Sequence, residues 1–111
     1  MRPHLKPILA LLLVTGLAGC GAGPKTPFAI TAGSENTVLQ PIVEEFCRQK
    51  NFDCSFTYKG SLDIGLGLGA GTLDTDAVWP AASVWIDMFD TGRTVSHATS
   101  IAQMPVILGV R

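Results

Sequence analysis

Apolar and polar positions along the chain fall into three units of one kind: a short apolar run, a turn, then a stretch with helical spacing. Phe28-Ala29-Ile30-Thr31-Ala32 is β-prone and mostly apolar, as in a strand buried within a parallel sheet. Gly33 and Ser34 break it, and Asn36 stands at an N-cap position. Leu39, Ile42, Val43 and Phe46 then fall at i, i+3, i+4 and i+7, one apolar face of a helix that fades near Lys50-Asn51. Pro41 is compatible with the first turn, where its missing N–H has no intrahelical partner to lose. Asp53 to Tyr58 alternates, with Cys54, Phe56 and Tyr58 on one side, and predicts a second strand. Ser61 is placed to cap a helix from Leu62 to about Leu68. Gly65, Gly67 and Gly69 each cost that helix about 1 kcal/mol relative to Ala, which points to close packing against the sheet. Asp74-Thr75-Asp76 leads into a third strand, Ala77-Val78-Trp79, ended by Pro80. Ala81-Ala82-Ser83 opens a helix with the stripe Val84, Trp85, Met88 and Phe89, closed by Thr91-Gly92-Arg93. Positions 94–103 are polar and aperiodic, and Met104 to Val110 is a strongly apolar strand candidate. Strands alternating with helices predict an α/β fold with a largely parallel sheet, the first three strands side by side. A buried-type strand so close to the last residue reads as the mark of a fragment.

The N-terminus changes the picture of a soluble domain. Arg2 and Lys6 precede an apolar run, Ile8 to Val14, that continues to Leu17-Ala18-Gly19-Cys20. A charged segment, an apolar segment and small residues are the anatomy of a secretory signal. A membrane span needs about 20 apolar residues, and this run is roughly half as long. Leu17-Ala18-Gly19-Cys20 resembles the bacterial lipobox, which implies cleavage before Cys20 and lipidation of its thiol; an ordinary signal with Cys20 near its cleavage site is the alternative. The domain reading is a signal peptide over 1–19, a Gly/Pro-rich tether over 20–27 and a folded body over 28–111. The signal accounts for much of the 47% hydrophobic content and the mean hydropathy of +0.34. Residues 20–111 carry six basic and nine acidic side chains, which argues against nucleic acid or a polybasic membrane patch. With Cys20 lipidated, Cys47 and Cys54 remain as an even pair. An oxidising compartment favours joining them across the short return from helix to strand, although two buried thiols would also fit. A bridge over so small a loop contributes about 2–3 kcal/mol on the chain-entropy account.

Candidate chemistry lies in the three strand-to-helix turns: Gly33-Ser34-Glu35-Asn36, Lys59-Gly60-Ser61 and Pro80-Ala81-Ala82-Ser83. In an open parallel sheet all three emerge along the edge beyond the carboxyl ends of the strands, where ligands bind. Serine hydroxyls and helix-terminal amides there can hold an anionic or polar group without a formal positive charge. Each serine taken singly is explained as well by helix capping. Glu35 repels a simple oxyanion unless it points away or receives a cationic part of the ligand. The ligand-binding set is therefore Ser34, Glu35, Ser61, Ala82 and Ser83, and Ser34, Ser61 and Ser83 are expected to face one cleft. Enzyme readings fare worse. Glu35 and Asp63 have no His or Lys companion at suggestive spacing, and His97 sits alone in a polar stretch. Cys47 and Cys54 make no zinc set, and the alternating glycines of Gly65 to Gly71 match neither GxGxxG nor a P-loop. No catalytic residue, metal or cofactor is expected.

FAITAGSENTVLQPIVEEF, YKGSLDIGLGL, DTDAVWPAASVWIDMFDTGR and MPVILGV, in this order, resemble the first half of a bacterial extracellular solute-binding protein. The likeness is to the type II periplasmic-binding fold near its molybdate/sulfate branch, carried by Ser34, Ser61, the Asp76-to-Ala81 stretch and Trp85. It covers Phe28 to Arg111. The resemblance implies a parallel-sheet lobe, a small polar or anionic solute, and ABC-type uptake through a permease. In such two-lobed proteins MPVILGV would sit at the first crossover, so only half of the ligand contacts would be present and affinity for oxyanions would be weak. A similar module also occurs joined to von Willebrand factor A domains. A surface adaptor or scaffold lobe without a small ligand is therefore the alternative reading.

Overall fold

The computed structural model of the protein describes residues 23–103 and 108–109. Strand β1 (Thr26–Gly33) leads through a 3-10 turn (Ser34–Leu39) into helix α1 (Gln40–Gln49). Strand β2 (Phe52–Lys59) leads into helix α2 (Ser61–Ala70), and strand β3 (Ala77–Trp79) into the short helix α3 (Val84–Phe89). The three strands form one parallel sheet in the order β2-β1-β3. Its β1–β2 register runs from Thr26 opposite Phe52 to Gly33 opposite Lys59. This is the α/β, parallel-sheet architecture that the alternation of strand and helix patterns predicts, with β1 in the middle.

The strand order fixes where the helices go. Right-handed crossovers between parallel strands send α1 to one face and α2, which passes back across β1, to the other. Accordingly α1 packs on β2, and α2 packs on β1 and on α3. The core lies where these layers meet: Ile30, Ala32, Cys47 and Ile64 are buried. Thr31 is buried beside them.

Several local expectations are corrected. β1 starts at Thr26, so the last two residues of the expected tether belong to the sheet. The apolar face of α1 is rotated: Cys47 is buried and Val43 half-buried, whereas Ile42 and Phe46 are 68% and 56% exposed. The cause is the Cys47–Cys54 disulfide, with Cα atoms 6.1 Å apart, which aims Cys47 at β2. At about 100° per residue, Phe46 and Ile42 must then swing away from the sheet. The expected bridge over the α1–β2 return is thus present.

In α3, Trp85 and Phe89 turn inward and stack, while Val84 and Met88 are exposed. Of the glycines of α2, Gly65 and Gly69 answer to this helix and Gly67 to Leu73, none of them to the sheet. A Cβ on Gly65 would lie 2.6 Å from the Phe89 ring. After α3 the left-handed backbone falls on Arg93 (φ 51°) and not on Gly92. Residues 94–103 carry no regular secondary structure, as their lack of periodicity predicts. The expected strand Met104 to Val110 lies outside the described residues, apart from Leu108 and Gly109, which are not in a strand. Cys20 and the expected signal peptide also lie outside them. Among the described residues no helix is long and apolar enough to cross a membrane.

Candidate ligand site at the strand ends

Successive strands are added on opposite sides of β1, β2 on one side and β3 on the other, so the strand order switches between β1 and β3. The chain leaves β1 toward α1 on the β2 side and leaves β3 toward α3, which packs with α2. Such a divergence opens a crevice beyond the carboxyl ends of the two strands, the usual place for a ligand in an open α/β sheet. All three predicted turns reach this edge, because all three strands are parallel.

Hydrogen bonds link the three turns directly. The Ala81 N–H, after β3, donates to the Ser61 hydroxyl at 2.9 Å. The Ser61 hydroxyl, at the start of α2, donates in turn to Glu35 Oε1 at 3.2 Å. Ser61 is the first residue of its helix and does not cap it; Gly60 holds the cap position without a side-chain bond. A hydroxyl one residue inside the helix points away from the free amides of its own first turn and is available to neighbouring turns.

Asn36 supplies a second tie. It does not cap α1 as expected. Gly33 takes the cap position of the 3-10 turn, which leaves Asn36 inside that turn with 4% of its surface exposed. Its carboxamide donates to the Trp79 carbonyl at 3.0 Å, joining the end of β1 to the end of β3. A buried amide with one firm bond is a fixed wall of the crevice. The residue was visible in the sequence as a polar group beside a turn, but its burial depends on a strand 47 residues from Ala32, and local pattern carries no trace of that.

The remaining predicted positions separate. Ser34 is exposed, and its carbonyl accepts from the Thr37 hydroxyl at 2.9 Å. Ala82 and Ser83 line an open groove of about 950 Å³ on the β3 side, together with Asn36, Trp79, Pro80 and His97. Ser34, Glu35 and Ser61 do not line it. The three serines share an edge, but only Ser83 lines this groove, so the single-cleft expectation does not hold for it: α3 begins five residues after Trp79, and the intervening segment sets Ser83 along the groove.

Asp76, part of the motif behind the resemblance, sits at the opposite end of β3. Its carboxylate accepts the Ala29 N–H at 2.8 Å while its own N–H donates to the Ala29 carbonyl at 2.9 Å. Asp76 therefore clasps the entry of the strand, away from the Ser61–Glu35 corner, and lines the groove at that end of β3.

No protein family, curated protein or solved structure matches the chain. What the site can do rests on its own geometry. The strand-end corner offers amides and hydroxyls, yet two carboxylates already lean over it. Glu35 folds back across Gly33, and Asp63 reaches to within 3.3 Å of where a Gly60 Cβ would stand. Acidic side chains in a first helical turn are favoured by the exposed N–H groups there. The corner is thus built to hold an acceptor, and among the described residues its acceptors are the protein's own. No group of three or more His, Cys, Asp or Glu side chains among the described residues is placed to hold a metal ion.

Proposed function

We propose that the chain is a lipid-anchored, extracytoplasmic solute-binding module, attached through Cys20, that presents a small polar or anionic solute to an ABC-type permease. One observation carries this reading: the turns after β1, β2 and β3 converge at the β1/β3 divergence, and Ala81, Ser61 and Glu35 form a continuous hydrogen-bonded line there. The amide and the hydroxyl donate in series, Ala81 to Ser61 and Ser61 to Glu35, and a few such polar groups converging at one edge are what orients a small polar solute. Asn36 and Trp79 hold the adjoining wall. The resemblance to type II solute-binding lobes supports the same reading through Ser34, Ser61 and Trp85.

The test is calorimetric titration of the full chain with sulfate, phosphate, molybdate and a set of zwitterionic amino acids. Saturable binding that is lost in Ser61→Ala supports the reading; binding of none of these solutes overturns it. The anchor is tested separately. Cys20→Ala is expected to abolish incorporation of labelled palmitate and release the protein from membranes, and retained label refutes the lipid attachment.

A second reading, a surface adaptor lobe, has one observation in its favour. Val38, Ile42 and Phe46 follow at four-residue spacing along the 3-10 turn and α1, exposed by 79%, 68% and 56%. Exposed apolar side chains grouped on one side of a helix suit contact with another protein. Co-purification that survives Ser61→Ala but is lost in Ile42→Asp would favour this reading over solute binding.

A further inference from the structure

We propose that Glu35 is a built-in latch over the strand-end corner, a carboxylate that occupies the position of an anionic ligand and must be displaced before one binds. The inference rests on the solute-binding reading and deepens it, because it says which solutes the site admits at rest.

The hydrogen atoms decide the matter. The Ala81 N–H is spent on the Ser61 oxygen, and the Ser61 hydrogen is spent on Glu35 Oε1. A hydroxyl has one hydrogen to give. Ser61 therefore has no donor left for a second acceptor while Glu35 is in place. An incoming oxyanion meets a charged carboxylate and must replace it as the acceptor of the Ser61 proton. A neutral or zwitterionic solute does not face the full repulsion and can approach from the Asn36–Trp79 side.

The backbone is shaped for this contact. Gly33 has φ −63° and ψ 142°, a conformation open to any residue, so its lack of a side chain is not required by backbone strain. A Cβ at Gly33 would instead collide with Glu35 Oε1 and lie 2.7 Å from its carboxyl carbon. The glycine makes room for the folded-back carboxylate. Three substitutions then separate the contributions. Gly33→Ala expels the carboxylate and keeps its charge nearby. Glu35→Gln removes the charge and keeps an acceptor for Ser61. Glu35→Ala removes both.

The test follows two readouts on the full chain and these three variants, with circular dichroism confirming that each folds. The first is the amide proton shift of Ala81 by NMR, which needs no ligand. It is expected to move in Gly33→Ala and Glu35→Ala, because Ser61 becomes a weaker acceptor once its own hydrogen loses an anionic partner. The second is sulfate affinity, expected to rise roughly tenfold or more in both, the size of a released charge-assisted hydrogen bond. An unmoved Ala81 resonance, or sulfate affinity no better than that of the parent chain, overturns the latch. A gain in Glu35→Gln and Glu35→Ala without one in Gly33→Ala assigns the barrier to charge alone and also overturns it. If the parent binds a zwitterionic amino acid while no variant gains sulfate, the latch fails and the solute-binding reading stands. If no protein binds any probe, both fail.

Discussion

The Asn36 carboxamide shows how much one buried side chain can carry in a domain of this size. Removing it leaves the Trp79 carbonyl without the bond that joins the two strand ends. Losing a partner to a part-buried polar group costs about 1–3 kcal/mol. Asn36→Ala is therefore expected to lower the unfolding free energy measured in urea by that amount, and a variant within about 0.5 kcal/mol of the parent would remove Asn36 from the structural ties. Asp90 makes a different case. Its carboxylate accepts from the Thr94 N–H at 2.8 Å, the Thr94 hydroxyl at 2.7 Å and the Val95 N–H at 2.9 Å. These donors, the Val95 amide foremost, hold the carboxyl below its ordinary value of 3.8. A group depressed on folding contributes stability that is present above its unfolded pKa and lost as pH falls through the folded one. Unfolding followed from pH 6 down to pH 2 is expected to show a loss below about pH 4 that is smaller in Asp90→Asn. Equal pH dependence in the two proteins would contradict the assignment. At this scale the sequence was a partial guide. Turn positions were visible as Gly, Ser, Asn and Asp, but which of them would be buried depended on residues more than 40 positions away.

Between elements, the decisive contact is α2 against α3. Ala at Gly65 would gain about 1 kcal/mol of helix propensity. It would also drive a methyl group to 2.6 Å from the Phe89 ring, on a buried position where overpacking costs about 1–3 kcal/mol. The second effect wins, so Gly65→Ala is expected to destabilise the fold and to be rescued by Phe89→Ala in a double-mutant cycle. A stabilised single variant would show that the two helices lie further apart. Element identity was legible throughout. Period-2 alternation located β2, the short apolar runs located β1 and β3, and Pro80 marked where β3 ends. The orientation of helical faces was less so. Counting from Leu39 at 3.6 residues per turn ignores that Leu39 closes a 3-10 turn of about 3.0 per turn, and a constraint acting at Cys47 then sets the phase.

For the molecule as a whole, topology explains why the candidate site gathers where it does. A parallel sheet sends every strand-to-helix turn to one edge, so residues 35, 61 and 81 meet although no local pattern relates them. That convergence was legible once the strands were read as parallel. The self-occupation of the corner by Glu35 was not, because it depends on a side-chain rotamer and on the space above Gly33. The Cys47–Cys54 bond lies away from this corner, where α1 returns into β2. It has a use beyond holding the return together. Paired cysteines persist where the surroundings are oxidising and stay reduced in the cytosol. On the proposed export route the bond would report the compartment the polypeptide has reached. Intact cells treated with a heavy maleimide after acid quenching are expected to yield a chain labelled at neither Cys47 nor Cys54 unless a reductant is added first. Chains blocked from export by an altered leader are expected to take up label at Cys47 and Cys54 without reductant, and a third label at the unlipidated Cys20. Labelling of both cysteines in the exported pool would place the protein in a reducing compartment and contradict its proposed address.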